Sequence, residues 1–283
     1  MIPSDILRYV PGCESGEAPL SIKPLAGGLS NRTARVHTPC GRFVVRLHSE
    51  ASTNPAVDRQ RELELHQHAA AAGLAPKIVA ADGEGRFLVT EFIDGQGWSA
   101  ANFANVADLR VLAHRLRLLH ALPAPGIPCH EPMDVVHAYV ATISRLAPAE
   151  VVDLAALSER GARLFDVAES TSRVSSIVHN DLDHRNLIAA GQLYLLDWEY
   201  ARIADPLLDL ACVLSYYPEA VRHSELLLDE SGLRVQGATT AMLLALADWH
   251  LLVSYLWYRA RRARGYSDAA SRAAEGFMRR RLP

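Results

Sequence analysis

The chain has 283 residues, 49% of them apolar, and a formal charge of −3 from 29 Lys and Arg against 32 Asp and Glu. That length buries a sizeable core and suits two lobes better than one, and the lack of any cationic excess argues against nucleic acid as the main partner. Cys13, Cys40, Cys129 and Cys212 show no C-x-x-C spacing, so neither a zinc site nor a disulfide framework is indicated. Residues 1–10 lack a cationic start followed by an apolar core, and no run approaches the roughly 20 apolar residues of a membrane span. The expectation is a cytoplasmic protein with no membrane partner.

In chain order, residues 1–17 read as a short helix with a Pro/Gly break. The pattern turns extended over 20–25, 33–38 and 42–48, with Ala26-Gly27-Gly28-Leu29-Ser30-Asn31 between the first two runs and a turn at 39–41. Glycines such as Gly27 and Gly28 let backbone approach a phosphate, and the N–H groups of such a loop donate to it; read alone, they equally form an ordinary turn. In the third run Phe43, Val45 and Leu47 alternate with Val44, Arg46 and His48, which turns Arg46 away from the Phe43 face. Residues 56–72 are a helix in which Arg59, Glu62 and His66 recur at i, i+3 and i+7, with Leu63, Leu65 and the alanines as the packing side. Strands at 77–81 and 86–93 flank the turn Gly83-Glu84-Gly85 and close a small antiparallel sheet. Beyond them the chain becomes helical. Residues 105–122 place Leu109, Leu112, Leu116 and Leu119 on one stripe, with His120 as a packing residue at the helix end. A Pro-rich connector leads to helices at 133–146 and 151–168.

The stretch 177–210, I-V-H-N-D-L-D-H-R-N-L-I-A-A-G-Q-L-Y-L-L-D-W-E-Y-A-R-I-A-D-P-L-L-D-L, concentrates the chemistry. A short apolar run (Ile177, Val178) breaks into a polar loop with His179, Asp181 and Asn186. The apolar pattern resumes, turns at Gly191 and climbs over 193–196 to Asp197. Short strands are stiff and their ends lie side by side, so this layout predicts Asp181, Asn186 and Asp197 at one point. Mg²⁺ takes carboxylate or amide oxygen and shares its shell with substrate phosphates. Asn186 and Asp197 supply such oxygens, which leaves Asp181 to orient a hydroxyl and accept its proton; phosphoryl transfer asks for little more. Downstream, Asp205 suits an N-cap and Pro206 the first turn of a helix, with Asp209 one turn on. Two more helices follow at 235–262 and 267–281. In the first, Trp249 and Trp257 lie eight residues apart, about two turns and nearly one face, with Tyr255 and Tyr258 beside them. Aromatic stripes of this kind are usually core.

H-x-D-x-x-x-x-N followed by an aspartate at the end of the next hairpin strand resembles the catalytic and metal loops of the kinase-like phosphotransferases. H-N-D-L, L-D-W-E-Y-A and D-P-L-L-D-L-A look like the choline/ethanolamine kinase and thiamine kinase branch of the aminoglycoside phosphotransferase-like superfamily, rather than protein kinases, which carry D-F-G. The resemblance implies an α+β, two-lobe, protein-kinase-like fold. Its nucleotide-binding lobe, 1–93, would hold an antiparallel sheet with one main helix, and its helical lobe, 94–283, the catalytic loop and the substrate pocket.

The same resemblance implies ATP and Mg²⁺ as cofactors, Asp181 as the catalytic base, and Asn186 and Asp197 as metal ligands. G-G-L-S-N-R looks like the branch's nucleotide loop, which makes Gly27, Gly28, Ser30 and Asn31 candidates to touch phosphate; Ser30 and Asn31 equally suit closing the turn. Arg46, where most relatives carry Lys, is implied to grip the α- and β-phosphates. Glu62 is its nominated partner and Glu64 the competitor. Glu91, Phe92 and Ile93 fall at the implied interlobe hinge, whose backbone would meet adenine. Asp205 and Asp209 are implied to brace the catalytic loop from behind, through His179 or Arg185. Choline kinases build part of their pocket from aromatics on a helix like 235–262, where ring faces attract a quaternary ammonium. That nominates Trp249 and Trp257, with Glu199 to pair with the same cation or reach a second Mg²⁺. The expected activity is transfer of the γ-phosphoryl group of ATP to the hydroxyl of a small cationic alcohol, choline or ethanolamine ahead of thiamine, with an antibiotic kinase third. The alternative of another class is a catalytically inactive, nucleotide- or metabolite-sensing pseudokinase. The acceptor's identity and the oligomeric state are not legible in the sequence.

Overall fold

A computed structural model describes residues 2–25, 31–48, 54–129, 131–168 and 174–282. In chain order its elements are α1 (Ser4–Leu7), β1 (Ser21–Leu25), β2 (Asn31–Thr38), β3 (Gly41–His48), α2 (Arg59–Ala71), β4 (Ile78–Ala81), β5 (Phe87–Glu91), β6 (Gln96–Gly97), α3 (Val106–His120), α4 (Pro132–Leu146), α5 (Leu154–Ala168), β7 (Ser176–Val178), β8 (Leu187–Ala189), β9 (Leu193–Leu195), β10 (Arg202–Ala204), α6 (Leu207–Tyr216), α7 (Ser224–Ser231), α8 (Thr240–Ala263) and α9 (Ala269–Arg281). The mixed α/β class, with an antiparallel N-terminal sheet and a mostly helical remainder, is the one expected.

The chain forms two compact units. Residues 1–98 and 184–200 make the first; residues 99–183 and 201–283 make the second. This differs from the expected division at 93/94, and the reason is local pairing. The hairpin β8–β9 adds to β6 in a three-stranded sheet, the Leu195 N–H donates to the Leu74 carbonyl (2.9 Å), and the Trp198 ring stacks on His66 of α2. All of these hold the hairpin to the N-terminal part of the chain.

In the first unit the period-2 pattern gives a five-stranded antiparallel sheet in the order β1-β2-β3-β5-β4. Val36, Val45, Phe87 and Val89 line one face and are covered by Ile2, Ile6 and Val10 from the N-terminal segment. Helix α2 is capped by Asp58, whose carboxylate accepts from the N–H groups of Gln60 (3.0 Å) and Arg61 (3.1 Å). Its buried face is in part the one expected: Leu65 and Ala69 are buried, but Glu62 and His66 are buried with them, while Leu63 is only half-buried.

In the second unit the leucine stripe of α3 is fully buried, as its spacing predicts. Helices α4, α5, α6 and α9 pack on α8, and a two-stranded ribbon pairs β7 with β10. Against the expectation from sequence, one helix among the described residues is long and apolar enough to cross a membrane. Helix α8 has 24 residues and a window of mean hydropathy 1.3, so it qualifies by length and composition. Two thirds of that window (67%) is buried by the helices around it, which is the environment of a core helix.

Candidate active site

Strand alternation puts Arg46 and His48 on one face of β3, and Arg46 is only 9% exposed. Its guanidinium uses three of its five N–H donors here: Nη2 donates to Glu62 of α2, Nη1 to Asp197, and Nε to His48 Nε2 (3.1 Å). Glu62, and not Glu64, is therefore the ion-pair partner. It sits in the first turn of α2, where the helix dipole favours an anion. Glu62 also accepts from Arg59 (2.6 Å), and Arg59 reaches Glu199 (3.3 Å), which in turn accepts from the Asn31 side chain (3.0 Å). Burial, then the neighbouring Asp197 charge, push the Glu199 carboxyl above its ordinary value, while Arg46, Asn31 and Arg59 pull it back. Glu199 was expected to face an acceptor cation or a second metal. It is 4% exposed, and its carboxylate is committed to Arg59 and Asn31.

Asn186 and Asp197 are brought together by the hairpin. Leu187 pairs with Leu195, the Leu196 N–H donates to the Asn186 carbonyl (2.8 Å), and Asp197 follows directly. Trp198 anchors the turn, fully buried, its indole N–H on the Leu195 carbonyl (3.0 Å). Asp197 has φ 60°, and Asn180 has φ 61°. Among the described residues these two alone, glycine aside, occupy the left-handed region, which is sparsely populated outside turns and functional sites. Among the described residues no three His, Cys, Asp or Glu side chains form a closed metal cage. Mg²⁺ calls for none: one or two protein oxygens plus waters and substrate phosphates suffice. The Asp197 carboxylate, 32% exposed, and the Asn186 side chain fit that donor chemistry.

The second unit holds Asp181. Asp209, with no exposed surface, accepts from the backbone N–H of His179 (3.2 Å) and Asn180 (2.7 Å) and from His120 Nε2 (2.9 Å). The bracing expected of Asp209 thus runs through two loop amides and His120, not through the His179 ring or Arg185. His179, also fully buried, accepts the Asp181 N–H on Nδ1 (3.3 Å). Asp205 caps α6, its carboxylate accepting from the Leu207 N–H (2.8 Å). The Tyr216 hydroxyl donates to Asp181 Oδ1 (3.2 Å). Burial, reinforced by the Asp181 charge, pushes this phenol well above its usual range, so it stays a donor.

Other expectations fare differently. Gly27, Gly28 and Ser30 lie outside the described residues. Of the backbone groups expected to meet adenine, the Glu91 and Phe92 N–H groups donate to the Lys77 and Arg42 carbonyls (both 3.0 Å) and are committed to the sheet; among the described residues the Ile93 N–H makes no such backbone bond. Trp249 is 2% exposed and packs on Phe165, so its ring is core. Trp257 meets Tyr258 edge-on, and the Arg261 guanidinium stands 5.7 Å over its ring, where an acceptor cation was expected. Four side chains that bond the candidate residues were given no such partner by the sequence reading: His48, Arg59, His120 and Tyr216. His48 was findable, two positions from Arg46 on the same strand face; His120 and Tyr216 acquire partners 89 and 35 residues away that no local pattern announces.

The sequence model described as the phosphotransferase enzyme family (APH) matches residues 21–229, well over half of the chain. No curated protein sequence matches it. Among solved structures, the choline kinase LicA from Streptococcus pneumoniae superposes with a TM-score of 0.80 at 19% identity, covering 95% of each chain. A choline/ethanolamine kinase family protein from Mesorhizobium loti gives 0.75 at 20% identity, covering 98% of this chain and 92% of its own. The GDP and kanamycin complex of APH(2")-IIia gives 0.64 at 15%, covering 97% and 98%. The kinase-like fold is common to all three.

Proposed function

The chain belongs to the phosphotransferase enzyme family, and from that premise we propose that it transfers the γ-phosphoryl group of ATP, with Mg²⁺, to the hydroxyl of a small cationic alcohol, choline or ethanolamine ahead of thiamine. The observation that carries this reading is the buried Arg46, spanning Glu62 and Asp197. A permanently charged fork held between two acids is suited to gripping phosphate oxygens in a fixed orientation. In this reading Asp181 accepts the acceptor's hydroxyl proton as the new O–P bond forms and ADP leaves, with Tyr216 holding the carboxylate. Asn186 and Asp197 would hold the metal, which would supply charge neutralisation on the phosphates. The choice of acceptor is supported by H-N-D-L and G-G-L-S-N and by the choline and ethanolamine kinases among the similar structures.

The test is ATP consumption by the purified protein with choline, ethanolamine, thiamine and kanamycin as acceptors. Turnover is expected with a single amino alcohol. Asp181→Ala should lower it by about 10²–10⁴, the usual worth of a general base, with ATP binding retained. ATP binding without turnover on any acceptor would overturn the enzymatic reading in favour of a sensor.

A further inference from the structure

A guanidinium carries five N–H donors on three edges, and in a buried setting each donor without an acceptor is costly. Nη1 and Nη2 of Arg46 each give one N–H to Asp197 and Glu62, which leaves a second N–H on each nitrogen. The Nε–H has no carboxylate; it donates to His48 Nε2 at 3.1 Å. Strand geometry makes that contact available, because positions i and i+2 share a face.

Imidazole accepts at one nitrogen only when the proton sits on the other. His48 Nδ1 lies 2.6 Å from the Gly85 carbonyl, an acceptor that can only face N–H, so the proton belongs on Nδ1 and the lone pair on Nε2 points at Arg46. The turn between β4 and β5 delivers this carbonyl. Gly85 has φ +71°, and a Cβ there would stand 2.9 Å from the Arg59 Cβ, so only glycine lets the turn come this close. Burial, then the charges of Arg46 and Arg59, hold His48 down to about 3, which keeps the ring a neutral acceptor at physiological pH.

We infer that His48, oriented by the Gly85 carbonyl, is a positioning residue that fixes the plane of the Arg46 guanidinium for the nucleotide phosphates. The inference rests on the reading of Arg46 as the phosphate-binding cation. Without an acceptor for Nε–H, the fork turns to find one and its outward N–H groups lose their aim. The turn 82–85, far from being a plain connection, belongs to the nucleotide site through that one carbonyl.

The experiment measures ATP binding by titration calorimetry, with Mg²⁺ present, for the wild type and five variants. His48→Leu should weaken binding about tenfold, the worth of one hydrogen bond to a charged group. His48→Gln, whose side chain offers an acceptor to Arg46 and a donor to Gly85, should stay within about threefold of wild type. In the Arg46→Lys background, which has no Nε–H, His48→Leu should add no further loss. A His48→Leu protein that binds like wild type, or an equal loss on both backgrounds, overturns the inference. Arg46→Ala separates the two readings: if it leaves ATP binding intact, the phosphate role of Arg46 falls and this inference with it. If it abolishes binding while His48→Leu is silent, only His48 is wrongly assigned. Independently of variant folding, the ¹⁵N spectrum of the wild-type His48 ring should show the Nδ1–H tautomer; an Nε2–H ring overturns the inference on its own.

Discussion

Replacing Asp209 with alanine removes one side chain from beneath the catalytic loop and tests how that loop is held. The carboxylate has no exposed surface and accepts three donors, the amides of His179 and Asn180 and the His120 ring. Hydrogen bonds to a charged group are worth about 1.5 kcal/mol or more each, so the gross loss is on the order of 4–5 kcal/mol. Water entering the vacated space returns part of it, and the net destabilisation should be about 3 kcal/mol. For a chain of this size that lowers the midpoint of thermal unfolding by roughly 6–12 °C. The catalytic effect should be larger in kind. Asn180 holds a left-handed backbone, φ 61°, with its N–H fixed by Asp209. Freed of that bond, the backbone relaxes and carries Asp181 with it, and a misplacement of about 1 Å costs about 10² in rate. ATP affinity should not change, since Asp209 holds a loop of the second unit and the Arg46 cluster is built within the first. Calorimetric unfolding, steady-state kcat and ATP titration on the same preparation decide the matter. Asp209→Asn, which keeps one acceptor oxygen, should fall between. An alanine variant that unfolds within about 0.5 kcal/mol of wild type, or turns over as fast, would refute the reasoning.

His250 is 4% exposed, with Nδ1 on the Ser215 hydroxyl (2.8 Å), and burial followed by the Arg202 charge lowers it from 6.5 to about 4. The unfolded chain therefore takes up a proton that the folded one refuses. The stability this represents is complete above pH 6.5, is lost as pH falls toward 4, and amounts to about 3 kcal/mol at 1.36 kcal/mol per pH unit; urea midpoints that stay flat between pH 7 and 4.5 in wild type would contradict it. Tyr216→Phe deletes the hydroxyl on Asp181 and should lower kcat about three- to tenfold with ATP affinity unchanged, the worth of one hydrogen bond, as initial rates would show. Gly95→Ala places a methyl against the Ala189 carbonyl, with Ala190 Cβ and Ile188 Cγ2 each 2.8 Å away. It should therefore destabilise the pairing of β6 with β8 by about 2 kcal/mol, the range for forced overpacking, with faster amide exchange at 187–189 as the readout.

What could be read from the text alone was whatever a local rule governs. Period-2 alternation gave β2 and β3, the Leu109 to Leu119 spacing gave α3, and the D-P pair announced the capped start of α6. The motif in 177–210 drew attention to Asp181, Asn186, Asp197 and Asp209, while Glu62 in α2 was nominated only through the resemblance. What was not legible depends on partners far along the chain. β10 is three residues, R-I-A, that become a strand only because β7 lies alongside. The hairpin 184–200 joins the first unit because its neighbours, β6, Leu74 and His66, come from there. Glu199 looked like a ligand for a cation, and so it is, but the cation is Arg59. The Trp249 ring shows the opposite failure, where an analogy with another pocket outweighed the plain expectation that a helical aromatic is core.

Helix α2 touches the charged cluster at one end and the indole of Trp198 a turn later, through Glu62 and His66. A single helix thus grips both the Arg46 guanidinium and the indole next to Asp197. Sliding it by a small fraction of its pitch would release the two together. Arg46 and the turn that carries Asp197 thus share one mount, so whatever loosens this helix loosens both.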